Sequence, residues 1–271
     1  MIFISIVLGP FFGLIAIVFM YIILAFAKLP RKMGLTSFQS LLIAIIGLSI
    51  IGTFLPEVMG LGTTAIVNLT NGNALLAVAV AILLAKIVAT ALSLGFGFFG
   101  GVFSPALLVG AAAGSAATAL LNITGIYSFE GPELVICGMA AVAGSVVGAP
   151  LSMIIIVLEL TGSYSLALTS TIGIVTATMI SSQYFGHSLF DKQLLNRNID
   201  LSHGRMGLRL MKEDISSIVS LSGLKFHSDM EVSLAMYKMI EHETTEAYIV
   251  SDHDNYICLL YTSPSPRDSS E

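Results

Sequence analysis

The sequence FGGVFSPALLVGAAAG, residues 99–114, is the most informative segment of this chain. Two glycines and a proline stand directly before a run without a single charge, inside a region that is hydrophobic on both sides. Proline is tolerated in the first turn of a helix, because its missing N–H would be unpaired there anyway. Pro105 therefore predicts a helix that begins abruptly, after backbone that is not helical.

The composition of the chain is typical of a membrane protein. Of 271 residues, 55% are hydrophobic and only 11% are charged, and the mean hydropathy of +0.91 lies outside the usual range of soluble globular proteins. Basic and acidic residues balance in residues 1–185, so the formal net charge of -5 comes from residues 186–271. This division predicts a transmembrane unit joined to a water-exposed module.

The hydrophobic segments of the first 185 residues differ in length. A bilayer is crossed by roughly 20 apolar residues, and the segments that reach this length are 1–27, 37–55 and 74–94. The others are borderline, rich in glycine and alanine, or too short to span: 105–121, 132–148 and 150–161. Non-helical backbone at membrane depth is tolerated only where protein or a water-filled cavity surrounds it. We therefore expect broken and re-entrant helices around a path.

The helix start at Pro105 has the features of an anion site. Segments interrupted by glycine and proline mark binding sites in transporters, where the N-termini of half-helices point at an anion. Unpaired N–H groups around Val102, Phe103 and Ser104, with the positive end of the helix dipole, would hold a small anion. This stretch contains no lysine or arginine, and partial charges bind an anion weakly enough for it to leave. We expect a site formed by backbone, without a cationic side chain.

Helix packing is the alternative explanation for the small residues of this stretch. The spacing of Gly110, Ala113, Gly114 and Ala117 is one that often lets two helices approach closely. We favour packing for the glycines after Pro105. We favour the anion site for residues 100–105, where packing does not explain the proline.

Several motifs, in the same order, resemble the second half of CLC-type chloride channels and chloride/proton exchangers. They are LPEVMGLGTTAI, LLAKIVATALSLGFG, GGVFSP with ALLVGAAAG, and VAGSVVGAPLSMIIIVLELTGSY, and the resemblance extends over about residues 5–203. It implies an all-α polytopic membrane fold, the second inverted repeat of the CLC fold. It also implies chloride transport, as a voltage-gated channel or as a chloride/proton antiporter, and not an enzyme.

The resemblance implies the chloride-binding residues as well. The family motif that donates backbone amides to the central chloride matches Gly101, Val102, Phe103, Ser104 and Pro105, chiefly through the amides of Val102 and Phe103. A tyrosine on the last helix of the family normally adds its hydroxyl, and FGHSLFDKQLL places Phe190, without a hydroxyl, at that position. The filter and gating motifs of the family's first half do not occur in this sequence. We therefore expect the chain to be a fragment of a longer reading frame.

Two charged residues lie inside apolar runs. For Glu159 we favour a position near a helix end over a functional role in the membrane. Lys86 could attract anions toward an entrance, but we favour snorkelling of its ammonium group to the interface.

The region after the last hydrophobic segment is basic: Lys192, Arg197, Arg205, Arg209 and Lys212. The positive-inside rule places this side, and hence the C-terminal tail, in the cytoplasm; a patch for anionic lipid is compatible with that orientation. In residues 204–260, MEVSLAMYKMIEHE has helical spacing, and EAYIVSDHDNYICLL predicts a strand, an Asp-rich turn and a second strand. This region resembles a truncated first CBS motif, which would form part of an α/β module. The polar residues 261–271 are predicted to be a disordered or artefactual tail.

CBS motifs work in pairs and can bind adenine nucleotides, but only one is present. The resemblance implies a homodimer in a lipid bilayer with chloride as its ligand. We expect no metal, because no Cys/His spacing suggests zinc, no resident cofactor and no nucleic-acid partner. The alternative from another class is a regulatory subunit, in which the membrane block anchors a nucleotide-sensing module without moving ions.

Overall fold

The structure is a computed structural model that describes residues 2–72, 75–125, 132–186, 188–196, 223–251 and 255–261. Its contacts divide the chain into two compact units, Met1–Ser202 and His203–Glu271. The domain boundary predicted between residues 203 and 204 lies outside the described residues. So do most of the predicted basic cluster, from Arg197 to Lys212, and nearly all of the predicted tail.

The described part of the first unit is helical. Its helices are α1 (Ile2–Lys32), α2 (Ser37–Phe54), α3 (Thr63–Thr70), α4 (Leu76–Gly95), α5 (Phe103–Thr124), α6 (Glu133–Val147), α7 (Pro150–Thr161), α8 (Tyr164–Tyr184) and α9 (Leu189–Leu195), with a short 3₁₀ turn at Pro56–Val58. Each of the six hydrophobic segments distinguished in the sequence is confirmed as a helix, with its ends moved by a few residues.

The helices of the first unit differ in length. Three of them, α1, α2 and α4, have the predicted spanning length, whereas α5 exceeds the borderline segment 105–121 and the span containing α8 is not among the predicted segments. Within the described residues, five segments are long and apolar enough to cross a membrane: α1, α2, α4, α5 and Tyr164–Leu195, which contains α8 and α9. By contrast, α6 and α7 are apolar but shorter. Glycines in the left-handed conformation end α5, α6 and α7, at Gly125, Gly148 and Gly162, where a side chain would be strained.

Helices α5 and α6 form the most extensive helix pair of the unit. A Cβ atom on Gly110 of α5 would overlap the carbonyl of Gly138 on α6, and one on Gly114 would overlap the carbonyl of Leu134. Ala113, between these two glycines, is fully buried. The packing explanation for the glycines after Pro105 is therefore confirmed.

The largest hydrophobic core is built around α1, which packs on α8, α4 and α6. The inward side of α1 supplies fully buried large side chains, Phe12, Phe19 and Met20. Large apolar side chains elsewhere on α1 and on α2, among them Phe3, Phe38 and Phe54, are exposed. Apolar side chains on the outside of a helical unit are what a hydrocarbon environment requires.

The described part of the second unit is a small α/β module. Strand β1 (Leu224–His227) pairs in parallel with β2 (Glu246–Val250), which pairs in antiparallel with β3 (Tyr256–Tyr261). Helix α10 (Val232–Glu241) packs Ala235 and Met239 against Phe226 and Ala247. The predicted helix and the two predicted strands are confirmed; the Asp-rich turn at 252–254 lies outside the described residues.

Candidate anion site at the start of helix α5

Helix α5 begins at Phe103, as the proline two residues later predicts. Residues 98–101 have no regular structure, and Val102 is the N-cap residue, with φ -94° and ψ -17°. Pro105 is the third residue of the helix, within the first turn, where its missing N–H leaves no gap in the helical hydrogen bonds. The abrupt start is therefore confirmed.

The first turn of α5 presents unpaired backbone donors. The first hydrogen bond of the helix runs from the N–H of Ala106 to the carbonyl of Val102, over 3.0 Å, so the N–H groups of Phe103 and Ser104 have no acceptor within the helix. No side chain caps this end, and its first turn contains no acidic residue. Together with the helix dipole, these donors favour an anion at this end.

A cavity of about 520 Å³ lies against the start of α5. Four of the six predicted site residues line it: Gly101, Phe103, Ser104 and Pro105. Helix α4 contributes Lys86, Ala89, Thr90, Ser93 and Leu94, and the segment between α2 and α3 contributes Val58, Met59, Gly60 and Leu61. Since no carboxylate is among its lining residues, the potential in the cavity is set by amide dipoles, hydroxyls and one ammonium group.

Lys86 contradicts one expectation from the sequence. Its side chain is only 4% exposed, and its Nζ atom donates hydrogen bonds to the carbonyls of Val58 (2.7 Å) and Gly60 (2.8 Å). Snorkelling is therefore wrong, because the ammonium group is held inside the protein. Lys86 also belongs to the wall of the cavity, so a cationic residue lies near the predicted backbone site, whose way of holding an anion stays a prediction.

The segment 56–62 forms one wall of the cavity and is anchored from two helices. Lys86 holds it from α4, and the Ser104 hydroxyl of α5 donates to the carbonyl of Leu61 over 3.0 Å. Gly62 closes the segment with φ 72°, and a Cβ atom there would overlap Leu108 of α5. The wall is therefore positioned by polar contacts on both sides and by a glycine that lets it approach α5.

A family profile described as "Voltage gated chloride channel" matches residues 1–182. The chain belongs to the CLC family. It is an integral, multi-pass membrane protein. It is similar to the H(+)/Cl(-) exchange transporter ClcA of Vibrio parahaemolyticus, with 31% identity over 203 residues, which are 71% of this chain and 42% of the relative. This CLC chain thus spans about two fifths of the length of that relative.

Two solved structures have the same fold as this CLC chain. A slow cyanobacterial Cl-/H+ antiporter gives a TM-score of 0.63 at 22% identity, over 73% of this chain and 47% of the antiporter. A eukaryotic CLC transporter gives a TM-score of 0.59 at 15% identity, over 96% of this chain and 58% of the transporter. At these identities the likeness supports the fold: broken helices in a membrane unit, followed by a small α/β module.

The remaining predicted site residues of the CLC chain lie outside the cavity lining. Val102 turns its side chain into the largest hydrophobic core and is 5% exposed, so only its backbone belongs to the helix start. Phe190 is the second residue of α9, is 42% exposed, and is not among the lining residues. Its role at the chloride remains a prediction from the family resemblance.

Glu159 lies in the last turn of α7 and is exposed. The preferred interpretation from the sequence, a position near a helix end, is confirmed. Lys86, by contrast, lines the cavity at the start of α5. The sequence signal for it was weak, because a lysine within an apolar run is equally compatible with snorkelling.

Proposed function

We propose that the complete protein containing this chain carries chloride across a membrane, as a voltage-gated channel or as a chloride/proton antiporter. The anion is held at the start of α5 by the backbone N–H groups of Val102, Phe103 and Ser104, and residues 101–105 with Phe190 form its surroundings. The observation that carries the proposal is the uncapped start of α5 on a cavity without a carboxylate in its lining. Backbone dipoles bind an anion and still permit its release.

Membership of the CLC family and the printed function of the similar ClcA protein, chloride/proton exchange, support this proposal. The protein is a transporter and not an enzyme. It acts as a homodimer in a lipid bilayer, with chloride as its ligand and no resident cofactor.

The C-terminal module is proposed to be the start of a CBS domain on the cytoplasmic side. Its helix between strands and the basic residues that follow the membrane unit support this proposal. In a paired module, the second motif would cover an apolar helix face of the first. On α10 the apolar side chains of Val232, Met236 and Ile240 are exposed. Adenine nucleotide binding would require the second motif of the pair.

Chloride efflux from liposomes that contain the complete protein tests the proposal. Efflux above that of empty vesicles supports it, and proton movement driven by a chloride gradient distinguishes an antiporter from a channel. The alternative, a nucleotide-sensing regulatory subunit, predicts the opposite result: nucleotide binding by calorimetry and no efflux.

A further inference from the structure

Lys86 is a buried cation whose counterion is not evident. A buried charge in a protein is normally paired with an opposite charge, because desolvation is otherwise costly. In the ranges that the structure describes, no ion pair joins Lys86 to a carboxylate. Its two hydrogen bonds go to neutral carbonyls, those of Val58 and Gly60.

The two carbonyls satisfy only part of the ammonium group. A lysine ammonium has three N–H donors, and the hydrogen bonds to Val58 and Gly60 use two of them. The full positive charge also remains, since carbonyl dipoles solvate a charge without cancelling it. Lys86 lines the same cavity that the start of α5 borders, as do Val58 and Gly60, whose carbonyls hold its ammonium group.

We propose that Lys86 is the charged determinant of anion affinity in this cavity, and that the transported anion is its counterion. This inference rests on the proposed function, because it assigns a second source of attraction to the same chloride. The N–H groups of Val102, Phe103 and Ser104 contact the anion, and Lys86 raises its affinity through the electric field.

The carbonyls of Val58 and Gly60 moderate that field. They turn their negative ends to the ammonium group, so the cavity receives less than the full effect of a unit charge. An anion can then be attracted and still be released, as transport requires. A bare lysine in the cavity would bind the anion more tightly.

A purely mechanical role for Lys86 makes a different prediction. Its hydrogen bonds anchor the segment 56–62, so its removal could act by loosening the wall of the cavity. Variants that remove the hydrogen bonds and the charge independently distinguish the mechanical role from the electrostatic one. Lys86→Arg keeps both, Lys86→Gln keeps donors but no charge, and Lys86→Met keeps only the apolar packing of the stem.

The test is chloride binding by calorimetry to the complete protein and these three variants. We expect the dissociation constant to rise about tenfold in Lys86→Gln and in Lys86→Met, the scale of one unit charge acting on the anion over about 12 Å at an effective dielectric constant of about 20. Lys86→Arg should stay within about threefold of wild type, since a guanidinium keeps the charge. Wild-type affinity in Lys86→Gln, or an equal loss in all three variants, would overturn the inference.

A second pair of variants tests the same charge with Lys86 left in place, should the neutral variants not fold. Thr90→Glu adds a carboxylate one helical turn from Lys86, where the two side chains can pair, and Thr90→Gln is the matched neutral control. We expect weaker chloride binding in Thr90→Glu than in Thr90→Gln; equal binding would contradict the inference. If the wild-type protein neither binds nor transports chloride, the proposed function itself is wrong. If it binds chloride with an affinity that does not depend on the charge of Lys86, only the further inference is wrong.

Discussion

Val102 has two separable roles at the start of α5. Its side chain packs in the largest hydrophobic core, while its backbone N–H precedes the first hydrogen bond of the helix. A substitution that removes the N–H is therefore informative only beside one that removes the same packing.

Replacing Val102 by proline should weaken chloride binding. The change removes one donor to a charged ligand, which is worth about 1.5–3 kcal/mol, so we expect the dissociation constant in the complete protein to rise about tenfold or more. Val102→Ala, which loses packing but keeps the N–H, is the control. Equal chloride affinity of the two variants by calorimetry would mean that this amide does not contact the anion.

Phe190 offers a test of the family resemblance at a single atom. Phe190→Tyr adds a phenolic donor and leaves the ring in place, so chloride binding should tighten by about 0.5–1.5 kcal/mol, the value of one neutral hydrogen bond. Phe190→Leu, which adds no donor, should not tighten it. Unchanged or weaker binding in Phe190→Tyr, in protein that still folds, would remove Phe190 from the site.

At the residue scale, the sequence predicts local features better than encounters between distant residues. Pro105 and the glycines before it act on their own backbone, so the helix start could be recognised from the sequence alone. The position of Lys86 could not, because it depends on how α4 packs beside α5 and on the carbonyls that segment 56–62 turns toward it. An apolar run around a lysine does not say whether the ammonium faces water or the protein interior.

Among the helices, the packing of α5 on α6 is the most sensitive to side-chain size. Gly110 and Gly138 face each other with their backbones in contact, so neither position has room for a methyl group. This close approach holds the N-terminal part of α5 against a short helix. The orientation of the unpaired N–H groups therefore rests on glycines in the following turns.

Gly110→Ala should destabilise the protein. The added methyl group overlaps the backbone of α6 and has to push the helix pair apart, and overpacking of this kind costs about 1–3 kcal/mol. We expect a lower midpoint of thermal unfolding for the complete protein in detergent. Gly101→Ala makes the same chemical change where nothing lies within 4 Å of the new atom, and its midpoint should match that of wild type. A midpoint for Gly110→Ala equal to that of Gly101→Ala would contradict the α5–α6 packing.

Helix α8 shows which element the sequence describes poorly. It is rich in serine and threonine, and several of its hydroxyls donate hydrogen bonds to its own carbonyls, for example Thr171 to Ala167 and Thr176 to Ile172. Such hydroxyls are satisfied inside the helix and do not need water. A pattern of apolar residues alone therefore does not give the bounds of this helix, although it does so for α2 and α4.

At the scale of the whole molecule, the first unit has surfaces that its own helices do not cover. Only 11% of the apolar 18-residue window of α2 is buried, and Phe103, which lines the cavity, is 42% exposed. Lipid can cover apolar side chains. It cannot form hydrogen bonds with the unpaired N–H groups at the start of α5, and it cannot solvate an anion. A continuous path for chloride therefore needs further polar protein surface around this helix start.

Residues 1–271 reconstituted alone should not conduct chloride. The solved structures with this fold are longer, and the chain covers 47% and 58% of them, which leaves room for further protein around the start of α5 in a complete transporter. We expect chloride efflux from liposomes containing residues 1–271 to equal that of empty vesicles, and the complete protein to give efflux in the same assay. Residues 1–202, which lack the C-terminal unit, should likewise give no efflux above that of empty vesicles. Chloride efflux from residues 1–271 above the empty-vesicle level would show that these helices, by themselves or as copies of one chain, already enclose the path.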